Sequence, residues 1–112
     1  MLLNSVYFIY FLLSLQLIGD VKCSYYGGNF HGRLTANGEI YDKNAMTCAS
    51  YDLPFNTYLL VVYGDKSVIV RVNDRGGFKK LGRYLDLSEG AMQELGGIEK
   101  GVIKATVYKL NE

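Results

Sequence analysis

The 112-residue chain carries 12 Lys and Arg against 11 Asp and Glu, a formal net charge of +1, and every charged side chain lies at or after Asp20. A near-balance of this kind, with no basic stripe, argues against a nucleic-acid partner and leaves an uncharged, hydroxyl-rich ligand such as a glycan as the better fit. The length allows one domain at most. Ten tyrosines offer flat apolar faces with polar tips, useful to a sugar or simply to a strand surface.

In chain order, Leu2 to Ile18 is almost wholly apolar. Its dense part, Val6 to Leu13, is shorter than the roughly 20 residues of a spanning helix, so a secretory signal is the first reading and an uncleaved membrane anchor the second. Gly19 and Cys23 are candidate residues before the cut. Residues 1–23 are therefore expected to be a signal peptide or anchor helix, and 24–112 the folded domain. The protein is expected to be exported to the periplasm or cell envelope, touching membrane only through an uncleaved leader. Cys23 after an apolar leader raises the question of lipid anchoring, but Lys22 stands where a lipidation site carries a small residue. Cys23 and Cys48 could form one disulfide in an exported chain, although nothing in the sequence brings them together. Cys48, in an apolar stretch, reads as a small buried residue.

Ser24 to Tyr26 is a short strand candidate, ended by Gly27-Gly28, and Asn37-Gly38 marks a turn. Ala45 to Ala49 reads as a short apolar strand, and Leu53-Pro54 breaks the pattern that follows it. Tyr58 to Tyr63 and Ser67 to Val72 read as a hairpin joined at Gly64-Asp65-Lys66. The second of these runs on into Asn73-Asp74-Arg75-Gly76, a sharp exit at which a carboxyl group stands beside a guanidinium. The rigid end of a strand is where a fold can hold a proton donor in place. Equally, Asp74 could cap the strand exit or pair with Arg75 or Arg71. A helix starts at Ser88 as N-cap, buries Ala91, Met92 and Leu95, and stops at Gly96-Gly97. In the last strand Ile103, Ala105 and Val107 face one way. Many short strands with one short helix predict a small closed barrel.

Six blocks then fall into a series: Ser24-Tyr-Tyr-Gly27, Phe30-His-Gly-Arg33, Thr35-Ala-Asn-Gly-Glu39, Leu53-Pro-Phe55, Val70-Arg-Val-Asn-Asp-Arg-Gly76 and Asp86-Leu-Ser88. In order and spacing, from Ser24 to Leu110, they resemble the RlpA family of lytic transglycosylases. The resemblance implies a mainly β domain, a six-stranded double-psi β-barrel with one or two short helices, the fold of expansins and MltA-type transglycosylases. It implies a monomer, without cofactor, that cuts peptidoglycan glycan strands stripped of their stem peptides. Such enzymes break the bond between N-acetylmuramic acid and N-acetylglucosamine without water. The muramoyl C6 hydroxyl attacks the anomeric carbon and leaves a 1,6-anhydro end.

One carboxyl group can protonate the leaving oxygen and then take the proton of the attacking hydroxyl, unlike the paired carboxylates of ordinary glycosidases. It must start protonated, which favours partial desolvation. By correspondence with the family, Asp74 is expected as acid/base and Glu39 as the carboxylate that stabilises positive charge or orients the ligand, with exchange of the two roles left open. Ser50, His31, Tyr26, Asn37 and Arg75 are the expected sugar contacts, and Asp74, Glu39 and Ser50 should line one groove. Two departures matter. Ser50 stands where the family commonly has histidine, and can hydrogen-bond a sugar but cannot tune a neighbouring pKa. Gly77 replaces a proline after Asp-Arg-Gly, which should loosen that loop. They keep open a non-catalytic glycan-binding or wall-loosening module of the expansin kind. One histidine and two separated cysteines make no metal site, and Gly76-Gly77 lacks the pattern of a phosphate loop.

Overall fold

A computed structural model describes residues 14–76 and 82–111. The strands are β1 (Leu15–Tyr25), β2 (Thr47–Ser50), β3 (Tyr58–Tyr63), β4 (Lys66–Asp74), β5 (Leu85–Leu87) and β6 (Ile103–Leu110). A 3-10 turn spans Gly28–Phe30, and one helix, α1, spans Glu89–Leu95. The strands close into a barrel in the order β1-β5-β2-β4-β3-β6. The pairs β1/β5 and β2/β4 are parallel and the others antiparallel.

Alternation fills the barrel. Val68, Val70 and Val72 of β4 meet Leu59 and Val61 of β3, Ile103, Ala105 and Val107 of β6, and Leu85 and Leu87 of β5 in one buried cluster. The β3–β4 hairpin forms as expected, with Tyr63 opposite Lys66 and Gly64 at φ +62, which fits glycine at the first central position of a type II′ turn. The expected helix is there too. The Ser88 hydroxyl accepts from Ala91 N–H at 3.1 Å and donates to the Ala45 carbonyl at 2.6 Å, and Gly96 ends the helix in the left-handed region at φ +75.

Two elements differ from expectation. The first strand begins at Leu15, ahead of the expected domain start at Ser24, and pairs with β6 from Leu15↔Leu110 to Cys23↔Ile103. Apolar composition hid its alternation, and a register shift between Leu17 and Gly19 interrupts the period. Residues 15–23 therefore belong to the barrel, whereas residues 1–13 of the expected leader lie outside the described residues. Among the described residues no helix is long and apolar enough to cross a membrane. The second difference is β5, whose three residues are too few to show a period.

Cys23 and Cys48 are both free and fully buried. They sit on β1 and β2 with β5 between, opposite Leu85 and Leu87 respectively. Burial pushes the Cys23 thiol up to about 12. Lipid attachment at Cys23 does not fit this fold, because its sulfur is part of the core and not of an exposed N-terminus.

The pairing of β2 with β4 carries one irregularity. Thr47 lies opposite Arg71 and Cys48 opposite Val72, but Ala49 lies opposite Asp74, so Asn73 is an extra residue. Strict alternation after Val72 would send Asp74 into the barrel. The bulge turns it onto the outer face instead, beside Ala49.

The start of α1 packs directly on the chain before β2. A Cβ on Gly90 would lie 2.9 Å from the Lys43 carbonyl oxygen and 3.0 Å from that of Asn44. Gly90→Ala is expected to lower the unfolding free energy by about 1–3 kcal/mol, whereas Gly27→Ala, with open space at its Cβ, should leave it nearly unchanged. Denaturant titration of both variants reads the difference; equal stability would contradict the packing.

Candidate active site

Asp74 ends β4, and donors from three segments converge on its carboxyl group. The Tyr26 hydroxyl donates to Oδ2 at 2.6 Å, and the backbone N–H groups of Ala36 and Arg75 donate to Oδ1 at 2.8 and 2.9 Å. Tyr26, just past β1, is itself held: it stacks on Tyr41 with ring centres 4.5 Å apart. The Tyr41 hydroxyl accepts from Glu89 N–H at 3.1 Å. Burial first, and then the hydrogen bond to Asp74, push the Tyr26 hydroxyl strongly upward, so it stays a donor. The Arg75 guanidinium does not pair with the Asp74 carboxyl group; it lies 4.2 Å from the centre of the Phe55 ring.

Four residues form a row across adjacent strands of the outer face. Ser24 on β1 is opposite Asp86 on β5, Asp86 is opposite Ala49 on β2, and Ala49 is opposite Asp74 on β4. Two carboxyl groups thus flank a small residue across three strands, their Cα atoms about 10 Å apart from strand spacing. Both line a cavity of about 350 Å³, with Tyr26, Phe30, Arg33 and Arg75 among the other walls. Asp86 accepts from the Ser24 hydroxyl at 3.0 Å. Its carboxyl group is raised above the ordinary value by burial, and further by Asp74, against the opposing effects of Ser24 and Arg83.

Glu39 lies outside that cavity. Arg71 holds it bidentately, Nη2 to Oε1 at 2.8 Å and Nη1 to Oε2 at 3.0 Å, and the Asn73 amide donates to Oε1 at 3.1 Å. Arg71 also reaches Asn56 Oδ1 at 3.0 Å. The Arg71 hydrogen bonds, then that of Asn73, hold the Glu39 carboxyl group down at about 2, so it is a carboxylate and a poor proton donor.

The expected sugar contacts divide. Tyr26 and Arg75 line the cavity. Asn37 is occupied within its own turn, its Oδ1 accepting from the Thr35 hydroxyl at 2.6 Å and from Glu39 N–H at 3.1 Å. The exposed His31 accepts from Lys43 N–H at 3.1 Å and pins a loop. Ser50 is a correction. It is 0% exposed, and its hydroxyl accepts from Leu53 N–H at 3.1 Å and Asp52 N–H at 3.4 Å. It caps the turn after β2, so Asp74, Glu39 and Ser50 do not line one groove. Gly77 lies outside the described residues. Asp86 and Tyr41 were not foreseen as site residues. Asp86 stands in one of the six matching blocks, the one signal that marks it; Tyr41 carried none. Among the described residues no three His, Cys, Asp or Glu side chains come together as a metal site.

The lytic transglycolase family model matches residues 19–107, the stretch that forms most of this closed β-barrel. Three curated relatives are each named endolytic peptidoglycan transglycosylase RlpA. That of Vibrio cholerae is 47% identical over 88 residues, covering 77% of this chain and 33% of its own. The Neisseria meningitidis relative is 46% identical, covering 80% and 38%, and the Pseudomonas aeruginosa relative 50% identical, covering 75% and 25%. The chain belongs to the RlpA family of double-psi β-barrels, and spans between a quarter and two fifths of the length of these relatives. Solved structures share the fold at lower identity. A Streptomyces papain inhibitor superposes with a TM-score of 0.67 at 21% identity, over 87% of this chain and 96% of its own. A Clavibacter michiganensis expansin in complex with cellohexaose gives 0.67 at 20%, over 83% and 50%.

The Glu39–Arg71 pair sets an acid dependence. A depressed carboxyl group contributes stability above its unfolded value of 4.5, lost as pH falls through about 2. Wild type should therefore exceed Glu39→Gln in stability near pH 6, with the gap closing as pH falls from 4.5 towards 2. Thermal denaturation across that range checks it; a gap independent of pH would remove the ion pair as its cause.

Proposed function

We propose that this chain is an endolytic peptidoglycan transglycosylase that cleaves peptide-free glycan strands in the cell envelope. The observation that carries the reading is Asp74, turned outward by the β4 bulge and held by Tyr26, Ala36 and Arg75 in the wall of the cavity. In this reading protonated Asp74 gives its proton to the glycosidic oxygen as the bond from the muramoyl anomeric carbon breaks. The resulting carboxylate then takes the proton of the C6 hydroxyl as that oxygen closes on the anomeric carbon. Asp74 ends as it began and no water is consumed. Of the two carboxyl groups this reading takes Asp74, because Arg71 and Asn73 hold the Glu39 carboxyl group low and it lies outside the cavity. Glu39 instead fixes the 35–39 turn whose Ala36 N–H orients Asp74.

Asp86 favours a second reading of the proton transfers. It shares the cavity and keeps a proton more readily than an exposed aspartate. Asp86 would then protonate the leaving oxygen while Asp74 acts as base, a division between two carboxyl groups in unlike environments.

Incubation with peptide-free peptidoglycan, followed by mass spectrometry of the products, should show 1,6-anhydromuramoyl ends. Asp74→Asn should lower their rate by at least about 10²-fold while glycan binding is retained. Full activity in that variant would sink the assignment. Asp86→Asn decides between the readings. If Asp86 is the acid, the rate falls comparably and the loss of rate at high pH disappears from the profile. If Asp74 acts alone, both rate and profile persist. Glycan binding without anhydro ends in wild type would leave a wall-binding module of the expansin kind.

A further inference from the structure

The row that holds the two aspartates continues along the barrel. Lys22 and Tyr84 precede Ser24 and Asp86 by two residues, and the β1–β5 ladder extends to them through Tyr84 N–H donating to the Lys22 carbonyl at 2.7 Å. A two-residue step keeps the same face and advances about 7 Å. There the surface opens into a second cavity of about 410 Å³, walled by Lys22, Arg83 and Lys104, by Tyr51 and Tyr84, and by Asp20. The two tyrosine rings meet edge to face at 5.8 Å, and offer the kind of flat surface on which a sugar ring packs.

The charges are arranged at a cost. Lys22 on β1 is directly opposite Lys104 on β6, and like charges so placed destabilise a sheet. Among the described residues neither lysine has an ion-pair partner. The one carboxylate of the cavity wall, Asp20, accepts the Thr106 hydroxyl at 2.5 Å. Three cations against one carboxylate, on an aromatic floor, make a site for an anionic sugar.

We propose that this cavity is a second subsite of the glycan groove and binds the free lactyl carboxylate of a muramoyl residue through Lys22, Arg83 and Lys104. The inference rests on the proposed function for the identity of its ligand. In strands that still carry stem peptides that carboxyl group is an amide, uncharged and followed by bulk. In peptide-free strands it is an anion on every second sugar. A cation cluster one step along the face from Asp86 therefore selects stripped strands and sets their register past the aspartates.

The test measures binding of the intact chain to three strand preparations: peptide-free, peptide-free with lactyl carboxylates converted to methylamides, and peptide-bearing. Wild type should bind the first about tenfold more tightly than the second, the scale of a partly exposed charge-assisted contact. The doubly substituted Lys22→Gln/Lys104→Gln chain should lose that preference, and Arg83→Gln most of it, whereas Lys100→Gln, outside the cavity, should keep it. Retained preference in the lysine variant, or none in wild type, overturns the subsite. So does lysine-dependent binding that is strongest for peptide-bearing strands, which would make stem-peptide carboxylates the ligand. Discrimination without anhydro ends in wild type would leave the subsite standing and remove the catalytic reading; a wild type that binds no strand removes both.

Discussion

A single inserted residue sets the geometry of the site. Asn73, unpaired between Val72 and Asp74, breaks the alternation that packs β4 into the core. Without it Asp74 would face Leu59, Val70 and the other apolar side chains, where an ionised carboxyl group is expensive. With it, Asp74 joins Ser24, Asp86 and Ala49 in one row across four strands. Ala49 matters by being small, since it leaves the space between the aspartates that a larger side chain would fill. The barrel's two parallel pairings bring the strands of that row together from distant parts of the sequence.

Around that row, support comes from separate directions. The start of α1 is tied to Tyr41 through Glu89 N–H, Tyr41 stacks on Tyr26, and Tyr26 donates to Asp74. From the other side, Arg71 and Asn73 hold Glu39, and with it the turn that aims Ala36 N–H at the same carboxyl group. Each link ends on the aspartate and is itself fixed by another element, which is how a site on a strand exit keeps its position.

Strands with a clean period were readable in the sequence. The β3–β4 hairpin, the helix with its Ser88 cap and the inward set of β6 all follow from alternation, capping and turn chemistry. The beginning of β1 was not, because its apolar residues next to Met1–Leu13 resemble a leader, and periodicity cannot separate a buried strand from an apolar run. Nor was β5, at three residues. Within the site, Asp74 was visible as a charged strand exit, yet nothing local distinguished Asp74 turned outward from Asp74 buried, since a bulge leaves no signal in one sequence. Ser50 and Asn37 are expected as ligand contacts because both are polar, Asn37 within a matching block and Ser50 where the family commonly has histidine. Each instead satisfies the backbone of its own turn, a use that short polar side chains have as often as binding.

The burial of Ser50 bears on what its departure from the family's histidine means. Its hydroxyl serves the turn at Asp52 and Leu53, away from the cavity. A group there acts on the site only through β2, whose Ala49 stands between the aspartates. Arg71 holds Glu39 ionised, and burial beside Asp74 favours the protonated form of Asp86. Glu39 and Asp86 thus lie in opposite environments, the first lowered by its ion pair and the second raised by burial.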